Sequence, residues 1–367
     1  MLIPCSPGEM SPSWLTTVLR DSGVLASGAV AKVDSHPLAG PEGLYGQIVR
    51  LTITYDGAEP TAPQTLIAKL SSADARMRQR PNTIASYERE VQFYQEIAPL
   101  SPVPVATCYY AKVDPLSGWH VILLQDLAPA RSGSRADGCT QTEAKATVNH
   151  ICRFHALWWE SPRLKAFEGL REFALSTDGN AWADAHREWW PAFVGKLGYE
   201  LPDSVARVGK LLGEHRESIV RKLFDRPPLT LIHGDFHLDN LLFGELPESI
   251  FIVDWQFIKL GHGVWDVAYF LSQNLSPADR RAIEMDLLAM YVRVLSDRGH
   301  TGYSLDDALG DYRLSLLHRF GQLISTIAAM PFTPEQIRFH VDILLPRAVA
   351  ALLDHDCLAL LEEHPGC

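Results

Sequence analysis

Between Leu229 and Trp255 three short apolar runs are separated by polar residues at fixed places. Leu229 to Ile232 runs into His233-Gly234-Asp235-Phe236-His237-Leu238-Asp239-Asn240, then come Leu241 to Phe243, and Ile250 to Val253 ends at Asp254-Trp255. Apolar runs this short fit buried strands better than helices. Each strand-like run therefore hands an acid or an amide to the loop beside it. An acid, an amide five positions on and a second acid fourteen positions later suit phosphoryl transfer from ATP. One carboxylate takes the proton of an acceptor hydroxyl, while an amide oxygen and the other carboxylate hold Mg²⁺ on the phosphates. On this reading Asp235 is the catalytic base, and Asn240 and Asp254 are the metal ligands. Taken singly, each is also an ordinary turn or strand-end residue; the set carries the argument.

Composition narrows the alternatives. The 367 residues suffice for two lobes with their own cores. No apolar stretch approaches the roughly 18 residues of a membrane span, and the N-terminus lacks the basic and apolar regions of a signal peptide. The expected setting is the cytoplasm. The net charge of −11 comes without a basic stripe, so nucleic acid is not an expected partner. The acidic excess fits a cationic or neutral substrate, or simply solubility. Arg76, Arg78 and Arg80 form a short basic cluster expected to be solvated. Six scattered cysteines without a CxxC pair suggest reduced thiols.

The order of elements predicts an α+β chain. Ser11-Pro12 starts a short helix; β-rich runs follow at Val30 to Ser35, Gln47 to Tyr55 and Thr65 to Leu70. Asn82 to Ile97 has helical spacing, with Ile84, Tyr87, Val91 and Tyr94 on one face. Two further strands are expected at Val105 to Ala111 and Trp119 to Gln125. After Asp126 the texture turns helical. Thr140-Gln141-Thr142-Glu143 is a capping box before a helix reaching Trp159, and Ser276-Pro277 and Thr333-Pro334 start others. The lobes are expected to be residues 1–126, binding nucleotide, and 127–367, holding the catalytic loop, the Mg²⁺ site and the acceptor-binding helices.

The HGD-x4-N run resembles the HRD-x4-N catalytic loop of protein kinases. Its HGD form is similar to the aminoglycoside phosphotransferase and ecdysteroid kinase-like families, which phosphorylate small molecules. The resemblance implies a protein-kinase-like bilobal fold, with a small β-rich N-lobe and a larger, mainly helical C-lobe. It implies ATP and Mg²⁺ as cofactors and a small-molecule hydroxyl as acceptor: antibiotic-, sterol-, amine- or sugar-like. It spans roughly 38–272 and leaves the acceptor and the oligomeric state open.

The same resemblance marks the nucleotide site. Leu66-Ile67-Ala68-Lys69-Leu70 is similar to the strand carrying the phosphate-binding lysine, and Glu90, or failing it Glu88, is implied as the partner of Lys69. The loop 38–46 contains Gly40, Gly43 and Gly46, and Gly43, Leu44 and Tyr45 near its tip are the candidate phosphate contacts. Leu123 to Leu127 resembles the adenine-binding hinge, with Gln125 and Leu127 acting through their main chains. Asp254-Trp255-Gln256 stands at the DFG position. Asp266 is implied to cap a helix and brace the catalytic loop, and His155 to be a core histidine. Asp239 reads as an acid that orders the loop, His233 as a support beneath it, and His237 as either a substrate contact or a solvated loop residue. Trp158, Trp159, Trp182, Trp189 and Trp190, with Asp178, Asp184 and Glu188, lie where the acceptor pocket is implied, though most of these tryptophans suit a helical core better.

Three other functions are weighed. His233-x-Asp235-x-His237 has the residue types of a metal-dependent hydrolase but leaves Lys69 and Glu90 unexplained. A non-catalytic pseudokinase would not need Asp235, Asn240, Asp254 and Lys69 together. A protein kinase is disfavoured by HGD and by the lack of Ala-Pro-Glu after Asp254.

Overall fold

The computed structural model describes residues 3–38, 46–58, 61–178, 181–246 and 249–362, without the side chains of 176–178 and 181–184. The chain divides into two compact units, Met1–Ala130 with Phe251–Phe257 and Arg131–Ile250 with Ile258–Cys367.

The first unit is a small antiparallel sheet with helices. Helix α1 (Pro12–Asp21) begins at Ser11, whose hydroxyl accepts the Trp14 N–H at 3.2 Å. Strands β1 (Ala29–Pro37), β2 (Gly46–Asp56) and β3 (Thr65–Ser71) follow, then α2 (Ala75–Arg78) and α3 (Pro81–Gln92). α3 continues as a π-turn over Phe93–Ile97. Strands β4 (Cys108–Val113) and β5 (His120–Gln125) complete the sheet, in the order β1-β2-β3-β5-β4. Successive strand side chains point to opposite faces. Leu66, Ala68 and Leu70 of β3 therefore join Leu15, Val18 and Leu19 of α1 in one apolar core. Lys69, between them, is sent to the other face.

Arg78 departs from the expected solvated cluster. It is buried, donates to the carbonyls of Ser72 at 2.9 Å and Ala73 at 3.2 Å, and lies 3.5 Å over the Trp119 ring. A planar guanidinium can stack on an aromatic face and still donate from its edge, here through one terminal nitrogen, which a run of charges in sequence does not reveal.

The second unit is mainly helical. It holds β6 (Arg131–Ser132), α4 (Gln141–Trp158), α5 (Glu168–Asp178), α6 (Ala181–Gly195) and α7 (Asp203–Phe224). The short strands β7 (Thr230–Ile232) and β8 (Leu241–Phe243) flank the loop 233–240, β9 (Ile250–Ile252) carries the chain into the first unit's segment Phe251–Phe257, and β10 (Lys259–Gly261) follows in the second. Helices α8 (Val264–Asn274), α9 (Pro277–Asp297), α10 (Leu305–Ala329), α11 (Pro334–Arg338), α12 (Leu345–Asp354) and α13 (Cys357–Glu362) end the chain. β7 pairs with β10 and β6 with β8, both antiparallel.

Thr140 and Thr333 make full capping boxes, as does Ser304 with Asp307, which satisfies otherwise orphaned helix N–H groups. Helix α8 is buried on every side, so it forms the axis of the unit. Trp158 and Trp159 are buried in the core, and Trp190 packs on α7 where Gly209 leaves room. A Cβ at 209 would come within 2.0 Å of the Trp190 ring. Among the described residues no helix is long and apolar enough to cross a membrane, and the described cysteines are all free.

Candidate active site

In the second unit β7 carries the chain into a tight loop that opens at His233. Gly234 has φ +81°, a left-handed conformation that glycine adopts without the cost of a Cβ. The loop is anchored from below by Asp266, which is fully buried in the first turn of α8. Its carboxylate accepts the N–H of His233 at 2.7 Å and of Gly234 at 3.1 Å, and lies 3.2 Å from His155 Nε2. Asp266 makes no helix cap; its bonds go to the loop backbone and the core histidine. His155 is completed by Tyr291, whose hydroxyl lies 3.3 Å from Nδ1.

Asp235 stands at the top of this loop. Its N–H donates to His233 Nδ1 at 3.2 Å. Oδ1 accepts the Tyr269 hydroxyl at 3.2 Å, and Oδ2 faces Asn240 Nδ2 and His237 Nε2, each at 3.2 Å. The side chain keeps 27% of its surface exposed. Burial pushes its acidity one way, but His237, His233 and Arg319 prevail and hold the carboxyl well below the usual carboxylate range. Asp235 is thus ionised and aimed. Tyr269 is pushed up to about 12 by burial, with the Asp235 charge adding, so its phenol stays a donor.

Asn240 also donates from Nδ2 to the Asp235 carbonyl at 2.9 Å. With its nitrogen committed, the amide presents its oxygen, the end that suits a hard cation. Asp239 orders a neighbouring segment: it accepts the Arg135 N–H at 2.8 Å and Arg135 Nε at 2.6 Å. The Leu238 N–H donates to Asn274 Oδ1 at 2.8 Å.

In the first unit Lys69 sits between two carboxylates. Its Nζ is 2.6 Å from Glu90 Oε1 and 2.8 Å from Asp254 Oδ1. Glu90 is 2% exposed, while Glu88 points to solvent. Burial would lower Lys69, but Asp254 and Glu90 overcome it and raise it above its ordinary value, so it stays cationic. Asp254 follows β9 with φ +64° and takes Gln256 Nε2 on Oδ2 at 3.2 Å. Arg89 Nε fixes the Gln256 carbonyl at 2.9 Å. Asp254 in the first unit and Asn240 in the second each carry a hard oxygen of the kind that suits Mg²⁺. No group of three or more His, Cys, Asp or Glu able to hold a metal occurs among the described residues.

At the hinge the Gln125 N–H donates to the Thr107 carbonyl at 2.8 Å. The Leu127 carbonyl accepts the Ala130 N–H at 2.9 Å. The start of this segment is fixed by Arg50, which grips Asp126 through Nε at 2.7 Å and a second nitrogen at 3.2 Å. Gly43, Leu44 and Tyr45 lie outside the described residues, as do the side chains of Asp178, Trp182 and Asp184.

Sequence reasoning passed over Tyr269, Arg319, Arg135 and Asn274. For Tyr269 a signal exists: it is three residues after Asp266, hence on the same helical face.

Comparison with known proteins places this geometry. A candidate aminoglycoside phosphotransferase from Ralstonia eutropha JMP134 is similar in structure, with TM-score 0.55 and 15% identity over 95% of this chain and 98% of that one. An ethanolamine kinase of Plasmodium vivax gives 0.50 and 10% over 93% and 89%, respectively. The GDP complex of an aminoglycoside 2'-phosphotransferase-IIIa gives 0.51 and 13% over 93% and 99%. These likenesses establish a kinase-like α+β fold. In sequence, 82 residues are 28% identical to the probable acyl-CoA dehydrogenase IBR3 of Arabidopsis thaliana, covering 22% of this chain and only 10% of that protein. The family model for the ecdysteroid kinase-like family matches residues 41–301, a span that takes in the lysine strand, the catalytic loop and α8, and the chain belongs to that family.

Proposed function

We propose that the protein is an ATP- and Mg²⁺-dependent O-phosphotransferase acting on a hydroxyl of a small molecule. The observation that carries this reading is the Asp235 carboxylate: ionised, partly open and oriented by Tyr269, Asn240 and His237 on a loop tied to buried Asp266. A carboxylate so held accepts the hydrogen bond of an incoming alcohol and takes its proton as the oxygen attacks phosphorus. Its low basicity suits a loose transfer, in which the hydroxyl proton leaves late.

Lys69, kept cationic by Glu90, orients the phosphates of the nucleotide. Asn240 and Asp254 are the residues assigned to Mg²⁺, which when bound supplies charge neutralisation at the phosphates. Family membership and fold support phosphotransfer as the class of chemistry. The hydrolase alternative loses support, because no group of three or more His, Cys, Asp or Glu able to hold a metal is found among the described residues, and the pairing of Lys69 with Glu90 has no place in it.

The test is Asp235→Asn in the full chain. Nucleotide binding, measured by calorimetry with Mg²⁺, should persist, while ADP release in the presence of an acceptor falls by about 10²–10⁴-fold. Near-native turnover in that variant would remove Asp235 from the mechanism.

A further inference from the structure

The charges around Asp235 point to the class of the acceptor, an inference that rests on the phosphotransferase reading. Arg319 of α10 lies flat on the Tyr269 ring, its Cζ 3.3 Å from the ring centre, and Tyr269 in turn touches Asp235. Among the described residues its terminal nitrogens bond to the amide oxygens of Gln322 and Gln273, and its buried Nε meets no partner. Arg347 of α12 donates to the carbonyls of Arg135, Gln273 and Ala136, again to no carboxylate. Arg135 uses Nε for Asp239 and places its guanidinium 5.3 Å over Phe339.

Three guanidiniums therefore gather where the carboxylates they are seen to feel are two, Asp239, bound to Arg135, and Asp235, which acts on both Arg319 and Arg135. A partly buried positive excess of this kind is costly, and an anion that enters relieves that cost. The local excess is positive although the chain carries a net charge of −11. A polycationic acceptor would meet repulsion here. Planar guanidiniums suit two-oxygen groups, and the Tyr269 and Phe339 rings offer flat apolar surface beside them.

We propose that the acceptor carries an oxyanion group, carboxylate or phosphate, near its hydroxyl, and that Arg319 and Arg135 hold it. These two are substrate-positioning residues; Asp235 remains the base.

The experiment uses matched alcohols with the full chain and Mg·ATP: 6-hydroxyhexanoate, 6-hydroxyhexyl phosphate, 6-hydroxyhexanamide and 6-aminohexan-1-ol. Their KM and kcat are read from ADP release, and their affinities for Asp235→Asn by calorimetry. The anions should bind and turn over about tenfold better than the amide, with the amine worst. The two anions compared with each other tell carboxylate from phosphate. In Arg319→Gln the ratio of anion to amide selectivity should fall towards one, chiefly through KM. An equal or better amide or amine, an unchanged ratio in Arg319→Gln, or no preferential binding of either anion at millimolar concentration would overturn the proposal. Anions that bind yet release no ADP with the wild-type chain would leave the acceptor class standing and remove the phosphotransferase reading.

Discussion

At the scale of single residues the proposed base, Asp235, is held by Tyr269, Asn240 and His237. Tyr269 gives Asp235 one hydrogen bond at 3.2 Å and packs against Arg319 on its ring face. Tyr269→Phe keeps the ring and deletes the donor. A hydrogen bond to a charged group contributes roughly 1.5–3 kcal/mol, so kcat should fall by about 10- to 100-fold. The KM for ATP should stay near the wild-type value, because the phenol faces the base. Steady-state kinetics decide this, and an unchanged kcat would show that Asp235 is oriented by Asn240 and His237 alone. The candidates Asp235, Asn240, Asp254, Lys69 and Glu90 could be picked out because few residue types suit the chemistry expected of them; the structure brings Lys69 to Glu90 and Asp254, and Asn240 to Asp235. Tyr269 and Arg319 could not. A tyrosine in an apolar helix and an arginine fifty residues further on carry no local mark of their meeting, which exists only after α8 and α10 pack.

At the scale of elements, β5 and α3 meet through His120. Its ring stacks on Tyr87 with centres 3.7 Å apart, and Nδ1 lies 3.1 Å from Ser71 Oγ. Burial, with the Lys69 charge adding, lowers its pKa from 6.5 to about 3. The folded protein therefore refuses a proton that the unfolded chain accepts. The contribution of His120 to stability is complete above 6.5 and drains away as pH drops toward 3. His120→Gln should flatten this acid dependence by up to ~1.4 kcal/mol per pH unit. Urea midpoints for both proteins at about pH 7 and about pH 5 measure it, and parallel losses would refute it. The elements themselves were readable where pattern and punctuation agree: the capping box at Thr140, the Ser11-Pro12 start, the helical stripe of α3. Arg78 was misread because its partner Trp119 lies far along the chain and only the fold brings it near.

At the scale of the molecule, nucleotide binding and stability are linked. A ligand that binds the folded protein stabilises it by about 2.7 kcal/mol at a hundred times its Kd. Mg·ATP should thus raise Tm by several degrees. The shift should shrink in Asp254→Ala and in wild-type protein with ATP and a chelator, as read by differential scanning fluorimetry. An equal shift in all three would take Mg²⁺ away from Asp254. The change of texture near Asp126 lies close to the end of the first unit's long segment at Ala130, but nothing in the sequence marks Phe251–Phe257 as joining that unit. The role of the helical tryptophans was not legible, because tryptophans that pack a core and tryptophans that line a pocket look alike in sequence.

One buried acid sets a limit on how this enzyme can fail. Asp266 gathers backbone from the loop after β7 and a side chain from α4, so Asp235, the proposed base, borrows its position from the same knot that closes the interior. Loosening that knot disarms the molecule before it visibly melts. A partly unravelled form would then keep most of its helix yet be inert, and heat or denaturant should silence turnover no later than they erase structure.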